Sequence, residues 1–139
     1  MKLSVKSDYA TRAVLALARR SYTGAPVPVE TLAEEQHIPP SYLVQILLEL
    51  KAKNIVRSQR GKDGGYQLAR PPAEITLGDI VRCVHGQGFD TPAIGDPHCP
   101  AELRGAWRRI QNAINDQLDA INFQQLAESG SEKDRMYYI

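Results

Sequence analysis

The chain has 139 residues, 42% hydrophobic and 24% charged, with a net charge of +1 at pH 7. This is the balance of an ordinary globular protein with one domain, or a small domain with an appendage, and it is long enough to bury a core. The sequence has no run of about 18 apolar residues, and residues 1–20 contain Asp8 and no small-residue cleavage site after their apolar part. We therefore expect a cytoplasmic protein.

The charge is distributed unevenly along the chain. Residues 1–70 hold 11 Lys and Arg against 6 Asp and Glu, a net charge of +5, whereas residues 71–139 hold 6 against 10, a net charge of −4. A basic half joined to an acidic half indicates that the first half meets a polyanion. Chance unevenness in a short chain is the alternative, and charge alone does not decide between them.

Three helices are predicted in the first 54 residues. In the first, of about four turns, Ser7 can cap the start and Asp8 suits the positive end of the helix dipole. A short helix follows in VETLAEEQH, and a third in IPPSYLVQILLELKAKN begins at Pro40. The inward-facing positions at helical spacing are Tyr9, Ala13, Val14, Leu17, Leu32, Ala33, Leu43, Ile46, Leu47 and Leu50. Two short helices joined by the tight HIPP connection outline a helix-turn-helix.

The glycine-rich stretch RGKDGG separates two predicted strands, NIVRSQ and GGYQLARP. A phosphate-binding glycine loop must lead into a helix, and it carries a Lys-Ser/Thr pair that is missing here. This loop leads instead into alternating Tyr66 and Leu68 and then into prolines. We therefore predict a β-hairpin wing, with Arg60 at its tip placed to enter a DNA minor groove.

The second half predicts two more helices separated by a loop. One is capped near Thr76, with Ile80 and Val84 inward, and residues 86–100 form a Gly- and Pro-rich loop of about 15 residues. The long helix from residue 102 carries a narrow apolar seam of Leu103, Trp107, Ile110, Ile114, Leu118 and Ile121. Such a seam packs either on its own core or against a second copy, and a protruding helix favours a homodimer.

These segments, in order, resemble the Rrf-two (Rrf2) family of bacterial winged helix-turn-helix transcriptional regulators, which includes the iron-sulfur cluster regulator IscR and a nitric-oxide-sensitive repressor. The resemblance spans about residues 1–127 and is most specific in SYL..QIL..L followed by RG..GGY.LAR. It implies a mainly α fold with a small β-hairpin wing and a long dimerisation helix. It also implies a homodimer that binds a roughly palindromic site in double-stranded DNA.

The resemblance also implies particular DNA contacts. Ser41, Tyr42 and Gln45 would lie on the exposed start of the recognition helix, and Arg60 and Gly61 would form the wing contact. Gln pairs with the edge of adenine, whereas Lys51, Lys2 and Lys6 could meet phosphates as point charges. Val44 could touch only a thymine methyl. Packing of Tyr42 on a neighbouring helix and a merely solvated role for Gln45, Lys51 and Lys53 are the alternatives.

The loop of residues 86–100 departs from the pattern of the family members that bind an iron-sulfur cluster. Those members place three cysteines in the corresponding loop. In this chain the loop offers only Cys99, preceded by His98, so a standard iron-sulfur cluster is not expected. Together with Cys83, His85 and Asp8, these two residues could supply the ligands of a zinc site or of an unusual cluster with mixed ligands. A thiol redox switch at Cys99 is a second alternative, but we favour inert thiols with surface histidines and no bound cofactor over both. For Asp8 we favour the plainer explanation that it stabilises the helix dipole from the first turn.

We therefore predict a sequence-specific dimeric DNA-binding regulator, a repressor rather than an enzyme, whose effector is a small molecule or a redox signal. The alternative is a winged helix used only for protein contact. The expected organisation is a winged helix-turn-helix over residues 1–82, a sensor-like loop region over 83–101, a dimerisation helix and C-terminal segment over 102–128, and a mobile tail over 129–139.

Overall fold

A computed structural model describes residues 2–129, which form α-helices and one two-stranded sheet. The helices are α1 (Val5–Arg19), α2 (Val29–Gln36), α3 (Pro40–Ala52), α4 (Leu77–Val84) and α5 (Ala101–Ala120), and residues 123–129 are again helical. Strands β1 (Val56–Gln59) and β2 (Gly65–Leu68) pair antiparallel as a hairpin. The predicted mainly α fold with a hairpin wing is confirmed. The tail predicted to be mobile lies outside the described residues, apart from residue 129.

One core joins the helix-turn-helix to α1 and α4. The inward positions predicted from helical spacing are buried in α1, α2 and α3, apart from Tyr9, which packs against the core from its edge. The predicted cap of α1 is wrong: Ser4 is the N-cap, its hydroxyl accepts from the Ser7 amide, and Ser7 is buried within the first turn of the helix. Both serines precede the first apolar position, so spacing alone did not separate them.

The hairpin is attached to the core at its base. Val56 pairs with Leu68 and both are buried, and Val27 adds an isolated antiparallel bridge to Tyr66. Gly65 has a positive φ of 154°, and a Cβ there would lie 2.2 Å from the Val27 carbonyl oxygen. Only glycine permits this close approach of the two backbones, so the segment before α2 fixes where the wing begins.

Helix α4 begins at a capping box, as predicted near Thr76: the Thr76 hydroxyl accepts from the Asp79 amide, and the Asp79 carboxylate accepts from the Thr76 amide. Helix α5 lies against α4 and ends before Ile121, which is extended and outside the helix. The chain then returns to the core, where Phe123 is fully buried and its amide donates to the Ile75 carbonyl. Within residues 2–129, no helix combines the length and the apolar character of a membrane span.

Candidate nucleic-acid interface

The connection between α2 and α3 sets the orientation of α3. His37 ends α2 with a left-handed backbone (φ 55°, ψ 45°), and buried Ile38 donates its amide to the Ala33 carbonyl. Pro39 then precedes the helix and Pro40 occupies its first turn, where a missing N–H costs nothing. This tight connection separates α2 from α3 by only three residues, as in a helix-turn-helix.

One side of α3 remains open after the core is packed. Leu43, Ile46, Leu47 and Leu50 are buried, which leaves an exposed surface that we call the α3 outer face, made of Ser41, Tyr42, Val44, Gln45 and Leu48. Val44 is 38% exposed and Leu48 is 54% exposed. The α3 outer face thus combines hydroxyl and amide groups with apolar groups, the mixture that reads base edges and thymine methyls.

Tyr42 serves a packing role while it stays accessible. Its ring meets the Tyr9 ring edge-on, with the ring centroids 5.7 Å apart and an interplanar angle of 84°. The Arg12 guanidinium lies 5.9 Å from the centroid of the Tyr9 ring. Tyr42 is nevertheless exposed, so the ring contact orients the side chain at the surface. Its contact with DNA stays a prediction.

Two lysines connect the elements around the α3 outer face. The Lys6 ammonium lies 2.7 Å from one carboxylate oxygen of Glu49 and 2.5 Å from the other, and Lys51 donates to the Ser58 hydroxyl at 2.6 Å. The first contact joins α1 to α3, and the second joins α3 to the wing. Glu49 therefore already offsets part of the Lys6 charge, whereas Lys2 and Lys51 are exposed. Sequence reasoning gave Glu49 no role, because its partner is 43 positions away.

The wing tip presents an unpaired cation. Gly61 has a positive φ of 108° and open space on its side-chain side, and the Gly64 amide donates to the Gly61 carbonyl to close the turn. Arg60 is exposed and has no side-chain partner within residues 2–129. A free guanidinium on a narrow two-stranded tip can enter a minor groove.

The five candidate metal or redox residues are spread over separate elements. Asp8 pairs with Arg12 on α1, the Cys83 thiol donates to the Glu49 carbonyl at 3.5 Å, and exposed His85 ends α4. His98 is exposed and the Cys99 thiol faces the Pro100 carbonyl. Both cysteines are free thiols. Within residues 2–129, no three His, Cys, Asp or Glu side chains converge on a point that could hold a metal ion.

The environment of Cys83 disfavours the reactive thiolate form of its side chain. Burial raises the pKa of Cys83, the Glu49 charge raises it further, and Lys53 and Lys6 act in the opposite direction. Because the thiolate is the reactive form, a raised pKa keeps Cys83 protonated at neutral pH. Of the two cysteines, Cys83 is therefore a poor candidate for a redox switch.

Comparison with known proteins identifies the type of protein that carries this arrangement. The model of the Rrf2 family, described as an iron-dependent transcriptional regulator, matches residues 3–129. The HTH-type transcriptional regulator CymR of Bacillus subtilis is 33% identical over 141 residues, which cover 100% of both chains. The resemblance inferred from the sequence is confirmed.

Solved structures agree with the sequence relatives. The structure of CymR, the global cysteine regulator of B. subtilis, superposes with a TM-score of 0.81 at 28% identity over 93% of this chain and 98% of that chain. The structure of T. potens IscR gives a TM-score of 0.80 at 31% identity over 99% and 97%. These relatives are transcriptional regulators, which confirms that the chain is not an enzyme and disfavours a protein-contact module without DNA binding.

Proposed function

Because the chain belongs to the Rrf2 family of transcriptional regulators, we propose that it binds a roughly palindromic DNA site as a homodimer, with one winged helix-turn-helix on each half. The feature that supports this function most strongly is the α3 outer face, which is left open beside a wing whose tip carries an arginine unpaired within residues 2–129. Such a protein acts in the bacterial cytoplasm. Bound at a promoter, it would exclude the polymerase, so we propose repression.

The proposed contacts follow from the chemistry of each side chain. Gln45 can donate to and accept from the edge of an adenine in the major groove, and Ser41 and Tyr42 can reach bases or phosphates through their hydroxyls. Val44 offers a thymine methyl an apolar surface. Arg60 and Gly61 form the minor-groove contact, and Lys2, Lys6 and Lys51 contribute phosphate contacts without sequence preference.

The homodimer is proposed from the surface of α5. Within the described chain none of the residues of α5 is buried, and Leu103 and Ile110 are 47% and 42% exposed. Trp107, Ile114 and Leu118 on the same seam are half-buried, and the Phe89 ring packs on Trp107. A second copy related by two-fold symmetry would cover this seam and place two recognition helices on a palindrome.

In vitro selection from random duplexes tests the DNA-binding function. We expect enrichment of a sequence with two inverted half-sites about one helical turn apart. Selection with the α3 outer-face variant Gln45→Ala should relax the preference at one position in each half-site. If no sequence is enriched by the wild-type protein under low-salt conditions, the proposed function is wrong.

For the effector, we propose that this regulator does not use a standard iron-sulfur cluster, because one chain offers too few thiolate ligands. Both cysteines are free, and within residues 2–129 neither of them belongs to a group of three possible metal ligands. A cluster or zinc site with mixed ligands and a thiol switch at Cys99 remain alternatives to a small-molecule effector. Elemental analysis and visible absorption of protein purified without oxygen should find a colourless, metal-free protein. Iron and sulfide near stoichiometry, with absorption lost in Cys99→Ala, would contradict this.

A further inference from the structure

A cleft of about 320 Å³ opens at the base of the wing, at the end of the hairpin opposite its tip. It is bounded by the C-terminal end of α1, the turn after α1, the hairpin base and residues 69–72. Three of its lining residues are arginines, Arg20, Arg57 and Arg70, and no Asp or Glu lines it among the residues that the structure describes. The cleft therefore carries positive side chains without a lining carboxylate from residues 2–129, and the proposed DNA contacts do not use it.

The three arginines differ in how far their charges are neutralised. Arg20 forms an ion pair with Glu35. Arg70 approaches its nearest carboxylate, Asp79, only at 4.0 Å. Arg57 has no carboxylate partner within residues 2–129 and contacts only a neutral amide, that of Gln67. Arg57 is thus the cation whose charge is least compensated in the cleft.

Gln67 holds Arg57 in position without neutralising it. With the Gln67 amide oriented to satisfy its hydrogen bonds, its oxygen accepts from the Arg57 Nε at 2.8 Å and Nη2 at 3.0 Å. Its nitrogen donates to the Gly24 carbonyl at 3.1 Å. One edge of the guanidinium is therefore fixed, and Nη1 is left to donate to another group. An arginine oriented in this way loses little side-chain freedom when it binds an anion.

Arg70 also lines the cleft, but its guanidinium is directed toward Asp79 and the Glu74 carbonyl, which do not line it. Its Nε is buried and has no hydrogen-bond partner within residues 2–129, and its Nη1 donates only weakly, at 3.5 Å, to the Glu74 carbonyl. Because that nitrogen is buried, it is not open to an anion in the cleft, and Arg57 is the cation that is available to bind one.

We propose that this cleft binds a small dianion, either a dicarboxylate or a phosphate compound, with Arg57 as the main cation. Guanidinium groups recognise carboxylate and phosphate oxygens through paired, charge-assisted hydrogen bonds. The volume lies at the lower end of ligand pockets, which span roughly 300–1,000 Å³. It suits a small metabolite, whereas a nucleotide would fill more space.

The position of the cleft gives the anion a regulatory effect, and this step rests on the proposed DNA-binding function. Arg57 lies on β1, three residues before Arg60, and Gln67 ties β2 to the turn after α1. An anion held here would fix the base of the hairpin and so alter the freedom of the wing tip. By linkage, anion and DNA then change each other's affinity by the same factor.

The first experiment titrates free ¹⁵N-labelled protein with sodium phosphate or sodium malonate at constant ionic strength, balanced with sodium chloride, and follows the arginine Nε–Hε resonances. We expect a saturable shift of the Arg57 resonance with at least one of the two probes, which also identifies the anion class. Arg57→Gln should weaken binding at least tenfold, whereas the control Arg19→Gln, an exposed arginine on α1, should not. Gln67→Glu, which places a carboxylate beside Arg57, should also abolish binding.

Two outcomes would overturn the site: no saturable shift with either probe, or equal binding by the wild type and Arg57→Gln.

Fluorescence anisotropy on a selected duplex tests the regulatory step. We expect saturating anion to change the DNA Kd of the wild type at least threefold, and we expect no such change in Arg57→Gln. An unchanged DNA Kd would overturn the coupling. If Arg57→Gln lowered DNA affinity and the salt slope without anion, Arg57 would be a DNA-phosphate contact, and the proposal would be wrong. A wild-type protein that binds no DNA would refute the proposed function. The titration of the free protein would still test whether the cleft binds an anion.

Discussion

At the scale of single residues, two arginines on one hairpin illustrate how surroundings assign different roles to the same side chain. Arg60, at the tip, has no side-chain partner within residues 2–129, whereas Arg57, at the base, is fixed by Gln67. A free guanidinium at the end of a narrow tip is suited to the negative potential of a minor groove. A guanidinium fixed within a cleft is suited to a small anion.

Replacing Arg60 by Ala should weaken binding to a selected duplex by about 1–3 kcal/mol, because it removes the groove contact of the wing. Fluorescence anisotropy against salt concentration provides the measurement, and the log–log slope should become shallower by about 0.9 for the lost phosphate-region charge. The variant should remain dimeric. Arg19→Ala, which removes an exposed arginine from α1, is the matched control and should bind as the wild type does. An unchanged affinity and slope in Arg60→Ala would refute the wing contact.

At the scale of elements, local patterns predicted helices α1 to α5 and both strands, and contacts distant in sequence account for what the patterns missed. Helical spacing identified the buried positions of α1 to α3, and the prolines and glycines marked the turns. The pairing of Val27 with Tyr66 and the ion pair between Lys6 and Glu49 join residues about 40 positions apart, and no local signal encodes them. The arginine cleft was missed for the same reason.

The placement of Ile121 shows the limit of periodicity at a helix end. Ile121 continues the apolar spacing of α5, and yet its backbone is extended, because its carbonyl accepts from the Leu77 amide and leads the chain back to the core. Of the candidate site, the residue types on the α3 outer face and at the wing tip could be read from the sequence. The sequence could not show which of the lysines are already paired, because those pairs depend on tertiary contacts.

The seam on α5 carries the prediction for the dimer. Ile110→Asp combined with Ile114→Asp should yield monomers, because both changes would bury a charge in an apolar interface. Light scattering after size-exclusion chromatography gives the mass directly. Arg108→Asp combined with Asn112→Asp, on the opposite side of the same helix, should leave the dimer intact. A dimer that survives the double change in the seam would refute the packing of two α5 helices.

At the scale of the whole molecule, the chain returns from α5 to the core of the winged helix. The amides of Leu77 and Phe123 donate to the carbonyls of Ile121 and Ile75, so the segment after α5 runs beside the start of α4. Phe123 is fully buried and belongs to the same hydrophobic core as the buried residues of α1, α2 and α3. A change in the position of α5 is thereby linked mechanically to the DNA-binding part. The division into residues 1–82, 83–101 and 102–128 stays a prediction.

Phe123→Ala should therefore lower the free energy of unfolding by about 3–5 kcal/mol, the usual cost of removing a large buried side chain. Urea unfolding followed by circular dichroism at fixed protein concentration measures this change. Phe89→Ala, which removes a half-buried ring that packs on Trp107, should cost clearly less. Equal effects of the two substitutions would mean that the C-terminal segment does not contribute to the core.

The measurement that tests the central claim most directly is the affinity of the wild-type dimer for its selected palindrome and for a shuffled duplex of the same composition, over a series of salt concentrations. We predict that the palindrome is bound at least about a thousandfold more tightly, as is usual for specific regulators. Affinity for both duplexes should fall steeply with salt. Equal affinity for the two duplexes, or binding insensitive to salt, would contradict a sequence-specific regulator that reads DNA through the α3 outer face and the wing.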